Sequence, residues 1–474
     1  MRLWLALIVG KICTLISRLS KQGGGSSLPG VLARRIEPRI LRRLLERSAP
    51  RSVIITGTNG KTTTARIVAQ ILKRAGLSVV WNSSGANMMS GIVSALIEKC
   101  DVLGRLIADA AVFEVDEASL RHVVGDIRPE AIVVTNCFRD QLDRYGEVDT
   151  VLELIRVALK DMPAESTLIL NADDPLVVSL ARSSQGRVLF YGLEDLGPAP
   201  ESMVETDVDQ YQLHDARNCP LCGARYEYSF VAYGHLGKYR CPKCQFGRPA
   251  LDFWATNIRR QGAHGFRFTV ALGEGPECGS LEASLGLPGI YNVYNCLAAS
   301  ACCLALGIPG TVIEEGIAQS SSAFGRMETI QVHDRSVLIA LAKNPVGFSE
   351  AVRSMMEEGS DKTILVCLND NFADGRDISW IWDADIEPLS RDSSSVRSVI
   401  ASGTRADDMA VRLKYAGIPQ EKISCRPDLS EALELGLSRV ASGETLYILA
   451  TYTAMLEIRE HIRRRTAAVE FWRA

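Results

Sequence analysis

Lys61 and Thr62 carry the plainest chemistry in the chain because of what precedes them. Residues 53–64 read V-I-I-T-G-T-N-G-K-T-T-T. A β-favouring run enters a turn with two glycines, and Ile67, Val68, Ile71 and Leu72 then recur at helical spacing. Gly57 and Gly60 can take backbone angles closed to other residues. The main chain of Gly57, Thr58, Asn59 and Gly60 can therefore turn its N–H groups around an anion at the positive end of a helix. A triphosphate fits that cradle, with Lys61 reaching the β- and γ-phosphates, the Thr62 hydroxyl on Mg²⁺ and Thr63 beside it. Residue 55 is Ile where G-x-x-x-x-G-K-[ST] has its first glycine. A plain strand-to-helix turn is the bland alternative, and the attached G-K-T-T favours the nucleotide.

A second set is Cys219-Pro-Leu-Cys222 and Cys241-Pro-Lys-Cys244, with eighteen residues between the pairs. That spacing is read as a structural zinc site. Four thiolates close a tetrahedron and leave no position for a substrate, so the metal would staple a small insertion, about 210–250, that lacks its own core. Disulfides or four reduced thiols are the alternatives. A nucleic-acid knuckle is disfavoured, since the motif does not lie in a basic tail.

Carboxylates recur where strands should end: Glu114, Asp116 and Glu117 after residues 111–115, Asp140 and Asp143 after 131–135, Asp173 and Asp174 after 168–170. Any one could be a helix cap or a solvated charge. Their succession beside a phosphate loop points to a magnesium and nucleotide site, because ligands in open α/β sheets bind beyond the carboxyl ends of strands. Asn292 and Asn295 sit three apart on a helix expected after Pro288-Gly289, where amides can bond a base or a ribose, or act as caps.

These residues need an α/β scaffold. From Ser52 the pattern alternates strands and helices, as a mostly parallel sheet requires. Strands are expected at residues 77–81, 111–115 and 131–135, and again at 363–368, 399–402 and 445–450, which makes the last third a second, Rossmann-like α/β domain. The divisions are 1–45, 46–326 and 327–474.

At 474 residues, 47 % hydrophobic and 23 % charged, the chain has the composition of a globular protein of two or three domains. A net charge of −3 gives no case for nucleic acid. The nine cysteines outside the cluster mostly sit in apolar runs and read as buried thiols. At the start, one Arg precedes a short apolar run, but Lys11 interrupts it after eight residues and no cleavage pattern follows, so the expected location is cytoplasmic. Residues 1–43 hold nine Lys or Arg against one acid, Glu37. They read as a pair of helices packed on the main domain, or as a basic, apolar surface resting on the inner face of an anionic membrane.

T-G-T-N-G-K-T-T, Glu114, T-N-x-x-x-D-Q-x-D, N-A-D-D-P, the Asn292–Asn295 pair and Gly325-Arg326-Met327-Glu328 occur in the order seen in Mur ligases and folylpolyglutamate synthases. The chain resembles that family. The four-cysteine insertion, the opening M-R-L-W with G-G-G-S-S-L-P-G, and residues 368–380, L-N-D-N-F-A-D-G-R-D-I-S-W, are more narrowly similar to the MurT branch. The resemblance implies a Mur-ligase-like central ATPase domain with an inserted zinc ribbon. It also implies ATP-dependent conversion of the α-carboxylate of D-glutamate in lipid II to an acyl phosphate, then to D-isoglutamine. Mg²⁺ would be held by Thr62 and Glu114, and Arg326 would contact the nucleotide. Ammonia would come from a GatD-like glutaminase, and Asp377 would complete that partner's Cys–His pair.

The chain also departs from the wider family. Residues 340–345 are A-L-A-K-N-P where Mur ligases carry D-Y-A-H-N-P, and Gln141 stands where many have His. An amino-acid-adding ligase and a non-catalytic nucleotide-binding scaffold are the competing readings. The first is disfavoured by the lost D-Y-A-H-N-P, the second by Lys61, Glu114 and Arg326.

Overall fold

The computed structural model describes residues 2–19, 27–82, 86–101, 103–140, 148–195, 215–261, 265–273, 279–320, 326–356, 361–391 and 395–465. Two compact units emerge. One comprises Met1–Cys137, Val148–Val208 and Ala216–Ser321; the other comprises Phe138–Glu147, Asp209–Asp215 and Ser322–Ala474.

The first unit opens with three helices, Arg2–Leu19, Leu28–Ile36 and Ile40–Ser48, where the sequence suggested two. Pro38 accounts for the extra break: it forces Glu37 before it into an extended conformation (φ −130°, ψ 93°), which ends the second helix. The strands follow: β1 (Arg51–Thr56), β2 (Val79–Trp81), β3 (Ala110–Glu114), β4 (Ala131–Val134), β5 (Thr167–Asn171), β6 (Arg187–Leu193), β7 (Glu227–Tyr233), β8 (Leu236–Arg240), β9 (Phe253–Arg260), β10 (Phe266–Leu272) and β11 (Ser280–Leu285). All but β7 and β8 form one sheet, in the order β11-β10-β9-β6-β5-β4-β1-β3-β2. It is parallel from β2 to β9 and antiparallel at β9-β10-β11. Residues 52–56, 110–114 and 131–134 are wholly buried, as strands covered by helices on both faces must be. The chain leaves β1 toward β3 and β2 on one side and returns to β4 on the other. The β1/β4 boundary is therefore the topological switch point, where an open sheet leaves a crevice.

The second unit holds β12 (Arg326–Val332), β13 (Arg335–Leu341), β14 (Lys362–Cys367), β15 (Val396–Ser402), β16 (Ile423–Cys425) and β17 (Thr445–Ala450), in the order β12-β13-β17-β14-β15-β16. Only β12 runs antiparallel to its neighbour. Helices cover both faces over two apolar layers, one around Phe348, Met409 and Tyr447, the other around Leu365, Leu433 and Met455.

The loop after β14 is pinned to the ends of neighbouring strands. Asn369 Oδ1 accepts from Thr404 N at 3.0 Å, and the Asp374 carboxylate accepts from Thr453 N at 2.7 Å and Thr453 Oγ1 at 2.5 Å. Asp374 therefore holds the first turn of helix Tyr452–Arg465, where orphan amides favour an acid. Asp374→Ala should lower the unfolding free energy by about 1–2 kcal/mol, read as a lower urea midpoint at an unchanged slope.

Candidate functional site

Gly57 (φ 116°) and Gly60 (φ 87°) turn the chain from β1 into helix Lys61–Arg74. Both are also crowded: a methyl on Gly57 would collide with Thr135 Oγ1 and on Gly60 with Asn295 Oδ1. The end of β4 holds the loop in shape. Thr58 N donates to Asn136 O (2.9 Å) and Asn59 N to Asn136 Oδ1 (2.8 Å), while Asn59 O accepts from Thr135 Oγ1 (2.7 Å) and Asn136 Nδ2 (3.1 Å). Gly60, the residue before the helix, brings no side chain to cap its first turn, where unpaired amides and the helix dipole favour an anion.

Lys61 is buried beneath this loop. Its Nζ donates to Gly57 O at 2.5 Å and to Glu117 Oε1 at 2.9 Å. Burial works against the charge, but the carboxylates of Glu117, Glu114 and Asp116 outweigh it and hold the ammonium above the ordinary lysine range. Glu114 ends β3, with Asn87 Nδ2 3.5 Å from its Oε1 and Asn82 bonding its backbone on both sides. Asp116 caps helix Glu117–Ile127. Glu117 belongs to the acidic cluster expected after residues 111–115, but nothing in the sequence signals its pairing with Lys61. It lay in the cluster after β3 and had the look of an ordinary first-turn acid.

Asn295 packs on Gly60. Its Nδ2 donates to Asn292 Oδ1 (3.1 Å), and Asn292 Nδ2 donates to Pro288 O (2.6 Å). The pair is thus oriented toward the loop from helix Ile290–Ala305.

The acids after β5 have other work. Asp173 accepts from Arg248 Nε (2.5 Å), Tyr294 OH (2.7 Å) and Leu193 N (2.8 Å). Asp174 accepts from Cys137 N (2.8 Å), caps the helix opened by Pro175 and lies 3.1 Å from His235 Nε2. Both are structural anchors, so the expectation that they join the magnesium site is replaced by this one.

The four cysteines converge. Their sulfurs all lie within 4.8 Å of one another, and main-chain amides of Leu221 and Cys244 point at Cys219 and Cys241 Sγ. Tyr226, Tyr228, Tyr239 and Phe246 pack around them. Four sulfurs bonded to one tetrahedral ion at about 2.3 Å would sit about 3.8 Å apart, close to the 3.4 and 3.5 Å of the nearest pairs. Elsewhere, Cys100, Cys296 and Cys302 are buried thiols pushed up to about 12 by that burial. Cys278 lies outside the described residues.

In the second unit, Asp377 is half-buried, with Oδ1 accepting from Ser379 N at 2.8 Å. Phe372, on the same loop, is 92 % exposed. Lys343 Nζ meets Asp140 Oδ2 at 2.5 Å, and Asn344 Oδ1 accepts from Gly347 N, opening helix Pro345–Met356. Arg326 begins β12, but its side chain, like Gln141 and Gly325, lies outside the described residues.

Residues 55–223 match the Mur ligase middle domain and residues 341–455 the MurT ligase C-terminal family. The lipid II isoglutaminyl synthase (glutamine-hydrolyzing) subunit MurT of Streptococcus pneumoniae is 36 % identical over 97 % of this chain and 97 % of its own. Among solved structures, a pseudomurein peptide ligase type C from Methanothermus fervidus superposes with a TM-score of 0.66 at 25 % identity, over 90 % of this chain and 80 % of that one. The MurF ligase of Thermotoga maritima, solved with ADP, shares the fold at 15 % identity and a TM-score of 0.62, covering 92 % and 85 %.

The buried ion pair under the loop is open to test. Removing one member of such a pair typically costs about 3–5 kcal/mol, because the other charge stays buried. With Glu114 and Asp116 still nearby, Glu117→Gln should lower stability by roughly 2–3 kcal/mol, measured by urea unfolding.

Proposed function

The chain belongs to the MurT family of Mur ligases, and on that footing we propose that it amidates the α-carboxylate of D-glutamate in the stem peptide of lipid II, using ATP and ammonia from a glutaminase partner. A carboxylate oxygen attacks the γ-phosphorus of ATP, the bond to the β-phosphate oxygen breaks and ADP leaves. Ammonia adds to the acyl carbon, loses a proton and expels phosphate, giving D-isoglutamine. The observation that carries the reading is the glycine loop at the β1/β4 switch point, with a buried, charged Lys61 beneath it.

Positioning and charge neutralisation supply most of the catalysis in a phosphoryl transfer. Main-chain amides from Gly57 to Thr63 hold the phosphates. Lys61 turns its ammonium from Glu117 to the β- and γ-oxygens. Asn292 and Asn295 bond the nucleoside, and Arg326 reaches the nucleotide. Thr62 and Glu114 would hold Mg²⁺, which would supply further positive charge on the triphosphate. Cys219, Cys222, Cys241 and Cys244 hold a structural Zn²⁺ in an otherwise coreless insertion.

Free ammonia is scarce near neutral pH, where most is ammonium, so a partner must release it close to the acyl phosphate. Asp377 carries a carboxylate on a partly exposed loop and orients the partner's histidine, as the acid of a triad does. The exposed Phe372 beside it offers that partner an apolar anchor. An amino-acid-adding ligase would need a pocket for its amine substrate, and A-L-A-K-N-P replaces the family residues associated with one.

With ATP, lipid II and ammonium chloride, the lipid product should weigh about one mass unit less than the substrate, carboxyl having become carboxamide. A product heavier by an amino-acid residue, or none at all, would remove the proposal. In the reconstituted complex Asp377→Asn should cut glutamine-supported amidation by about 10³–10⁴-fold while added ammonium still works. Lys61→Ala should abolish both. Stripping the metal with a strong chelator should release one zinc per chain and lower the melting temperature, and Cys241→Ser should reproduce that shift.

A further inference from the structure

The amino-terminal helix Arg2–Leu19 keeps an apolar face on the outside. Its inner side is Leu3, Ala6, Leu7 and Gly10, with Gly10 set so close to Ile97 that an added methyl would come 2.8 Å from Ile97 Cδ1. Outward point Trp4, Leu5, Ile12, Leu15 and Ile16, each between 49 and 59 % exposed. At 3.6 residues per turn these five fall on one face with no charged residue among them. By the same periodicity Arg2 and Lys11 lie on its flanks, and Lys11 bends its ammonium to the carbonyls of Ile97 and Cys100. Leu28, Leu103 and Ile107 of the same unit are also exposed.

Charge points to what covers this face. Nine Lys or Arg occur in residues 1–43 against the single acid Glu37, which is buried and paired with Arg43 at 2.6 Å. Arg35 and Arg39 are exposed. An apolar face flanked by cations suits an anionic bilayer surface: the side chains enter the acyl boundary while each nearby cation adds attraction to the headgroups. Among the described residues no helix is long and apolar enough to cross a membrane, so the helix would lie flat.

We propose that this face docks the protein on a lipid surface containing anionic headgroups, which confines the enzyme to the plane of its substrate. The proposal rests on the reading that the substrate is lipid-linked, and it can fail separately. The full-length chain, reconstituted with its glutaminase, is sedimented with vesicles of phosphatidylcholine and phosphatidylglycerol, and with phosphatidylcholine alone. Binding should need phosphatidylglycerol, weaken as salt is raised, and fall at least about tenfold in the double variant Ile12→Glu/Ile16→Glu. Both positions are exposed, so the variant's melting temperature should stay put. Its amidation of a water-soluble D-glutamyl stem peptide should match the parent, while amidation of vesicle-embedded lipid II falls with binding.

Failure of the parent to bind anionic vesicles, or full binding by the double variant, overturns the docking. So does a parent dimer that the variant converts to monomer with no change in vesicle binding, since the face would then be a self-interface. Vesicle binding without amidation of either substrate upholds the docking and sinks only the reading of function.

Discussion

The first unit is organised around keeping one lysine charged where water is scarce. A buried ammonium stays protonated only if nearby carboxylates and carbonyl oxygens replace the hydration it has lost. Glu117 and Gly57 O do this directly, and Glu114 and Asp116 reinforce it from the same strand end. The arrangement explains why the acids cluster after β3, beside β1 at the switch point of the sheet. It also sets the terms for nucleotide binding. A triphosphate brings more negative charge than Glu117 alone, so under the proposed function it competes with Glu117 for the ammonium.

The loop above the lysine is held just as firmly, and the four-cysteine insertion takes part. Thr135 and Asn136 fix the loop from β4, and Asn295 presses on Gly60. The amide of the next residue on β4's extension, Cys137, bonds to Asp174, which His235 of the insertion also contacts. Asp173 joins Arg248 and the amide of Gly237 from the insertion side to Tyr294, which shares a helix with Asn295. Residues Asp173 and Asp174 thus connect the four-cysteine segment to both supports of the phosphate loop. The four-cysteine insertion lies outside the reacting atoms yet bears on their placement.

What could be read in the sequence divides along physical lines. The loop was legible because its demands are local: two glycines at positive φ, and a lysine and threonine opening a helix. The parallel strands were legible as apolar runs between helical stretches, since burial on both faces leaves that pattern. Glu117 was hidden because its partner is 56 positions away. A first-turn acid after Asp116 needs no other explanation until the fold brings Lys61 to it. Asp173 and Asp174 were misread for a related reason. Pro175 after Asp174 is a helix-start signal, but the Arg248 that pairs with Asp173 lies 75 positions away, at the end of the insertion, where sequence spacing carries no information. The antiparallel edge β9-β10-β11 went unread, its half-exposed strands lacking the apolar runs of the sheet's centre.

Lys343 and Asp140 bear on why the nucleophile is ammonia. Under the proposed amidation the attacking nitrogen must arrive uncharged, since ammonium has no lone pair to give. A carboxylate left open beside an amine favours ammonium over ammonia, because opposite charge stabilises the protonated form. In this chain the Asp of the central motif is already matched: Lys343, which stands where Mur ligases carry histidine, places its own ammonium 2.5 Å from Asp140 Oδ2. The other oxygen, Oδ1, is buried without a hydrogen-bond partner, so the lysine offsets a charge that burial would otherwise make costly. A fixed internal cation thus stands on that carboxylate. Under the proposed amidation, a lysine in that place agrees with a nitrogen delivered neutral by a partner.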